Sequence, residues 1–280
     1  MAHATKPDRD RRRDAFLGLI GVRPAIMGIL NVTPDSFSDG GRFLSLDLAL
    51  AQAEKLVADG ADIVDVGAES TRPGHTPVPL EEEWRRLEPV LGPLLARISA
   101  PVSIDTSKAA IARRAIALGV SVVNDVWGLQ KDPDMAGVVA EGEAAVVMMH
   151  NRAAVDPEID IVADMLTFFE RSLALADRAG IPRARMLIDP GVGFGKTKGQ
   201  NLQALKATPR LVAAFGLPAL IGVSRKRLFG DLLGAGVESR LIGTLAANLA
   251  TLALGAAVFR VHDVAEHAAA FKVVHAIETA

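Results

Sequence analysis

The chain has 280 residues, 50% of them apolar, and its 31 Lys and Arg are nearly balanced by 33 Asp and Glu. This balance argues against a nucleic-acid-binding surface, and the absence of cysteine excludes disulfides and thiolate metal sites. The length suits a single α/β barrel, which typically takes about 250 residues, and these features fit a cytoplasmic protein.

The first residues, MAHATKPDRDRRR, are polar and basic and lack the apolar core of a signal peptide. We predict a disordered basic tail over residues 1–14 and one barrel domain over residues 15–280. The uncharged segment LIGTLAANLATLALGAAVF, residues 241–259, contains glycine, threonine and asparagine and has a β-branched end. It favours a buried helix followed by a buried strand over a membrane span.

Short apolar or β-branched runs recur along the chain, and patterns with apolar spacing of three and four lie between them. The runs begin at Ala25, Asp62, Pro101, Val120, Ala144, Arg185, Ala219 and Ala257. Apolar strands that alternate with helices imply a parallel sheet covered on its outside. Eight such repeats predict an α/β fold of the TIM (β/α)8 barrel type, with a doubly wound open sheet as the alternative.

Polar or charged residues stand at the end of every predicted strand. They are Asn31, Asp65, Glu69, Asp105, Asn124, Asp125, His150, Asp189, Ser224, Arg225, Lys226, Arg260 and His262. Because the carboxyl ends of barrel strands meet at one face, where such enzymes build their active sites, we expect these side chains to converge. A purely structural barrel has little reason to place them there.

Two features indicate an anionic ligand. Arg260 and His262 lie two residues apart at a strand end, so both side chains point the same way, and the arginine fork suits phosphate oxygens. The segment ESTRPG, residues 69–74, offers further donors from Thr71 and Arg72.

Other strand-end residues favour a flat ring rich in N–H groups. Asp105 and Asp189 end strands three and six, across the predicted mouth, and suit the donors of a 2-amino-4-oxo pterin. Asn124 can donate and accept, and Lys226 can reach a ring carbonyl or nitrogen. Met149 either supplies a soft apolar face for the ring or packs in the core.

The motifs that carry these residues resemble those of the dihydropteroate synthase family. They are NVTPDSFSDGG, ESTRPG, SIDTSK, ND, MH, DPGVGFGK, GVSRK and RVH, in the family's order from about Ala25 to the C-terminus. The resemblance implies a folate-synthesis transferase that joins 6-hydroxymethyl-7,8-dihydropterin pyrophosphate to p-aminobenzoate, giving 7,8-dihydropteroate and pyrophosphate. It also implies a dissociative path, sulfonamides as competitors and a homodimer.

The resemblance further implies which residues bind each substrate. The pterin pocket would be formed by Asp105, Asn124, Met149, Asp189 and Lys226. The diphosphate would meet Asn31, Thr71, Arg260 and His262, with Mg²⁺ held by Asn31. The p-aminobenzoate side would be framed by Phe37, Thr71, Arg72, Pro73, Phe194 and Ser224.

The loop after the first strand is interpreted as a lid. In this hypothesis Asn31 holds metal and diphosphate at its base, Asp35 stabilises developing positive charge, and Phe37 closes over the second substrate. The expected catalytic set is therefore Asn31, Asp35, Lys226, Arg260 and His262.

Two alternative functions, and one difference from the family's sequence pattern, stay open at this point. A methyltetrahydrofolate-dependent methyltransferase would share the pterin pocket but would not need Phe37 or the Arg260–His262 anion site. A non-catalytic pterin-binding relative should have lost Asn31, Lys226 or Arg260, and all three are present. Arg227 stands where the family frequently has serine, and it either binds the p-aminobenzoate carboxylate or points to solvent.

Overall fold

The computed structural model of the protein describes residues 6–32, 42–69, 77–234, 236 and 240–280. Eight parallel strands close into a barrel in chain order, with the last strand paired to the first. The strands are β1 (Ala25–Asn31), β2 (Ile63–Gly67), β3 (Val102–Asp105), β4 (Val122–Asp125), β5 (Ala145–Met149), β6 (Met186–Asp189), β7 (Ala219–Ile221) and β8 (Ala256–Val261). The predicted TIM barrel is confirmed, and the open doubly wound sheet is excluded.

Helices surround the barrel and connect its strands. They are α1 (Lys6–Leu19), α2 (Arg42–Ala58), α3 (Leu80–Arg97), α4 (Ala109–Leu118), α5 (Met135–Glu141), α6 (Ile161–Ala179), α7 (Lys198–Lys206), α8 (Thr208–Phe215), α9 (Arg227–Leu233), α10 (Arg240–Ala253) and α11 (Val264–Glu278). Helix α6 shows the local rules: Asp160 caps its start by accepting the N–H groups of Val162 and Ala163, and Gly180 ends it in the left-handed region at φ 78°.

The apolar core has two parts. The larger part packs the outward side chains of the strands against the helices. The smaller part fills the barrel interior and includes Met27, Ile63, Leu187 and Val258. Met27 and Ile63 are direct partners in the β1–β2 register, so neighbouring strands supply one interior layer.

The predicted disordered tail is wrong for residues 6–14, which belong to α1. Phe16 is 1% exposed and packs on the interior apolar cluster, so this helix closes one end of the barrel. Arg12 Nη1 donates to the carbonyls of Leu95 (3.2 Å) and Ile98 (3.0 Å) at the end of α3, and Arg13 donates to the carbonyl of Glu143. Basic residues that look solvated in the sequence are thus used to satisfy backbone carbonyls.

The uncharged segment 241–259 forms a helix followed by a strand, as predicted, but its helix is not buried all round. Helix α10 buries Thr244, Asn248 and Thr251, while Ile242 is 74% exposed. The polar residues face inward because they have partners there: Thr244 Oγ1 accepts the N–H of Arg225, at 3.1 Å.

Within the described ranges, none of the helices has the length and apolar character that crossing a membrane requires.

Candidate active site

Residues from four strands form one hydrogen-bonded cluster at the barrel mouth. Arg260 of β8 donates through Nε to Asp65 Oδ2 (2.6 Å) and through Nη2 to Asp105 Oδ2 (2.8 Å). Asn124 Nδ2 donates to the same Asp65 oxygen, at 3.1 Å. The sequence placed Asp65 at the rim, but it lies in mid-strand, opposite Ser103, two residues deeper than Gly67.

Asp189 and Lys226 border the same cluster. A Cβ placed on Gly222 would lie 3.3 Å from Asp189 Oδ2 and 4.0 Å from Arg260 Cβ, so the two side chains flank one point beyond β7. Lys226 Nζ donates to the carbonyl of Val192 and lies 4.6 Å from the ring centroid of Phe194. Four of the five residues predicted to surround a pterin ring therefore lie around one site: Asp105, Asn124, Asp189 and Lys226.

Burial controls the charges in this pocket. It raises the pKa of Asp105 to about 7, although the positive charge of Arg260 acts to lower it. It also raises the pKa of Asp189, although the positive charge of Lys226 acts to lower it. Burial also lowers the pKa of Lys226 to about 8. Within the described part of the chain, Asp105 Oδ1 is buried without a hydrogen-bond partner. That oxygen is an acceptor available to a ligand donor.

Met149 is only 4% exposed, yet it belongs to neither apolar cluster of the described residues. It ends β5 and is the register partner of Asp189. Its position at the mouth favours the ring-face interpretation over core packing.

Ser224 and His262 join the loops after β7 and β8. Ser224 Oγ accepts the backbone N–H of His262 (3.1 Å) and lies 2.9 Å from its Nδ1. Between Ser224 and Lys226, Arg225 adopts a left-handed φ of 55° and its side chain pairs with Asp263. A non-glycine residue in this region is strained, and such strain is concentrated at functional sites.

The remaining predicted site residues divide into two groups. Asn31 is described and stands exposed at the end of β1, where it pairs with Gly67. The others lie outside the described residues: Asp35, Phe37, Thr71, Arg72 and Pro73. The side chain of Arg227 is 87% exposed and lies 3.5 Å from Asp231, which favours the solvent-facing alternative.

The sequence missed a buried cation beside the pocket. Lys196 Nζ donates to the carbonyls of Gly191 (2.8 Å) and Phe194 (3.2 Å) and lies 2.7 Å from His150 Nδ1. Burial lowers the pKa of His150 to about 3, so the neutral ring accepts from Lys196 and donates through Nε2 to Asp164, at 2.9 Å. This network holds the loop that carries Phe194. The feature of the sequence that could have predicted it is the lysine at the end of DPGVGFGK.

Known proteins resemble this chain along most of its length. The model of the family described as pterin binding enzyme matches residues 27–262. The dihydropteroate synthase of Clostridium beijerinckii is 43% identical over 254 residues, which cover 90% of this chain and 94% of that protein.

Solved structures agree. Dihydropteroate synthase from Xanthomonas albilineans with 4-aminobenzoic acid has a TM-score of 0.88 and 44% identity, covering 92% of this chain and 94% of that one. The same enzyme in complex with 7,8-dihydropteroate has a TM-score of 0.84 and 42% identity, covering 92% of this chain and 95% of that one. The Yersinia pestis dihydropteroate synthase with a sulfonamide drug has a TM-score of 0.85 and 39% identity, covering 92% of this chain and 96% of that one.

A (β/α)8 barrel whose mouth gathers buried carboxylates, an amide and two cations defines an enzyme that binds a flat polar ring with an anionic tail. The chain belongs to the pterin-binding enzyme family. Its relatives within that family are dihydropteroate synthases.

Proposed function

We propose that this protein is a dihydropteroate synthase, a transferase that joins 6-hydroxymethyl-7,8-dihydropterin pyrophosphate to p-aminobenzoate and releases pyrophosphate. Relatives of this name match nine-tenths of the chain, and similar structures contain 4-aminobenzoic acid and 7,8-dihydropteroate. The observation in the chain itself that carries the proposal is the convergence of Asp105, Asn124, Asp189, Lys226 and Arg260 on one pocket.

Recognition of the pterin follows from the polarity of these groups. Asp105 and Asp189 present carboxylate oxygens to the ring's N–H donors, and Lys226 presents a donor to a ring carbonyl or nitrogen. Because the acceptors are buried, a ligand that cannot pair with them leaves them unsatisfied. Specificity for a donor-rich bicyclic ring is the consequence.

The reaction exchanges one bond to the pterin methylene. The C–O bond breaks, its electron pair leaves with pyrophosphate, and the neutral aromatic amine forms the new C–N bond and then loses a proton. Arg260 and His262 would neutralise the leaving group. Phe194 and Met149 would exclude water from the cation that develops on the methylene.

Mg²⁺ is part of this proposal, with Asn31 as its protein ligand. Asn31 is exposed at the end of β1 and has an amide oxygen, the hard ligand that Mg²⁺ accepts. The described part of the chain contains no group of three or more acidic or histidine residues able to hold a metal alone. The diphosphate would supply further oxygens, and bound Mg²⁺ would offset its negative charge.

A homodimer is supported by helix α10, which turns its polar residues toward the protein interior and apolar residues toward the surface. The exposed face of this helix carries Ile242, Ala246 and Ala250, and the neighbouring helices expose Leu233 (54%) and Ile277 (73%). Exposed apolar side chains on a helix and on the helices beside it are typical of a subunit interface. Light scattering should give twice the chain mass, and Ile242→Glu should give monomers with an unchanged circular dichroism spectrum. A monomeric wild-type protein at micromolar concentration would contradict the dimer.

The function is tested by pyrophosphate release from pterin pyrophosphate with and without p-aminobenzoate. Release that requires the amine identifies the synthase. A methyltransferase or a non-catalytic relative gives no amine-dependent release. Asp189→Ala should abolish most turnover while the protein stays folded, because the ring loses a buried carboxylate. Near-normal rates in that variant would refute the assigned role.

A further inference from the structure

Asp65 has no assigned role in the reaction, yet it is fully buried beneath the pocket. Its Oδ2 accepts from Arg260 Nε (2.6 Å) and from Asn124 Nδ2 (3.1 Å). Its register partner is Ser103, whereas Asp105, the pocket residue of the same strand, is the partner of Gly67. Asp65 therefore lies one layer below Asp105 and touches two pocket residues from underneath.

This contact fixes which end of the Asn124 amide faces the ligand. A carboxylate paired with a guanidinium can only accept hydrogen bonds, so the donor end of the amide, Nδ2, turns toward Asp65. The acceptor end, Oδ1, then points away from Asp65. Asp105 is the register partner of Asn124, so two acceptors stand side by side on the β3–β4 side of the mouth.

We propose that Asp65 is a positioning residue that sets the hydrogen-bonding polarity of the ring pocket. By holding the nitrogen of Asn124, it presents the amide oxygen to the ligand and selects a ring edge that donates N–H at this point. The inference rests on the proposed function and deepens it by naming the recognised edge. Without Asp65 the amide is free to rotate and to present a donor instead.

The first test is Asp65→Ala. It removes the oxygen that holds Asn124 Nδ2, while Arg260 keeps its hydrogen bond to Asp105, so the Asn124 amide is free to present its donor end to the ligand. We expect kcat/KM for pterin pyrophosphate to fall about 10- to 100-fold. KM for p-aminobenzoate should stay within about threefold of the wild-type value, because uncoupled sites change independently.

The conservative variant Asp65→Asn is the matched control. Arg260 Nε and Asn124 Nδ2 donate to the same oxygen of Asp65, so the amide oxygen of the new residue can accept from both and keep Asn124 in place. We expect it to retain at least about five times the kcat/KM of Asp65→Ala. The decisive test is the double variant Asp65→Ala with Asn124→Ala: because Asp65 acts through the amide, kcat/KM should lie within about threefold of that of Asn124→Ala alone.

Each outcome has a distinct meaning. A wild-type protein without amine-dependent pyrophosphate release would defeat the proposed function. An active wild type in which Asp65→Ala lowers kcat/KM as much in the Asn124→Ala background as in the wild-type background would overturn the positioning role alone, since a purely structural aspartate does not act through Asn124. Should Asp65→Ala fail to fold, Asp65→Ser, whose hydroxyl is too short to reach Asn124, takes its place in the same comparison.

Discussion

The two ends of the barrel are built from the same eight strands and have opposite character. The end closed by α1 is apolar: Phe16 seals an interior formed by residues such as Met27 and Ile63. The mouth holds buried charges, among them Asp65 and Asp105, each with one buried oxygen that lacks a partner in the described structure. The first end supplies stability, and the second gives up stability because it buries polar groups, of which Asp105 offers an acceptor to a ligand.

The largest expected effect is at the mouth. Lys226→Ala should lower kcat/KM about a thousandfold, because it removes a preorganised cation from the pocket. The melting temperature should not fall, since burial already disfavours the charged form of this lysine. Steady-state kinetics and thermal unfolding measure the two effects. Lys198→Ala, at an exposed lysine of α7, is the control, and equal losses in both variants would contradict the distinction between mouth and surface.

The closed end should show the reverse pattern. Phe16→Ala should lower the free energy of unfolding by about 3–5 kcal/mol, because the ring is 1% exposed and its removal leaves a cavity. Urea denaturation measures this loss, and kcat/KM of the folded variant should change by less than about twofold. Val22→Ala, at a 76% exposed residue just beyond α1, is the matched control. A large loss of activity without loss of stability would show that the two ends are not separable.

A pH profile sharpens the comparison by testing the buried charges. Burial raises the pKa of Asp105 to about 7 and lowers that of Lys226 to about 8. The active form has Asp105 ionised and Lys226 protonated, so kcat/KM for pterin pyrophosphate should fall on the acid side of the first value and on the alkaline side of the second, about tenfold per pH unit.

The alkaline limb can be assigned with Lys226→Arg. An arginine stays protonated throughout this range, so the limb should disappear in the active fraction of this variant. An unchanged limb would assign the titration to another group. Lys196→Met tests the nearest candidate, because burial also lowers the pKa of Lys196, to about 7.

The smallest effect is expected at Arg227, on the outer edge of the mouth. Its side chain is 87% exposed, so Arg227→Ser should change KM for p-aminobenzoate by less than about threefold. Initial rates at saturating pterin pyrophosphate measure this constant. A tenfold change would show that Arg227 binds the carboxylate after all.

Strand positions and most pocket residues were predictable for a physical reason. Strands buried on both faces read as continuous apolar runs, and a polar residue that ends such a run is exposed to one shared mouth. The prediction failed for α1 and for the outer face of α10. The orientation of both helices depends on hydrogen bonds to residues distant in sequence. Arg12 donates to the carbonyl of Leu95, and Thr244 accepts the backbone N–H of Arg225.

The sequence by itself determined the barrel, its eight strands and the side chains that reach the mouth, because alternating burial and strand polarity are local properties of the chain. Only the tertiary structure decided that Asp65 lies beneath Asn124, that Lys196 holds the loop of Phe194, and that Phe16 closes the opposite end. These relations depend on strand register and helix docking, which bring together residues separated by tens to hundreds of positions.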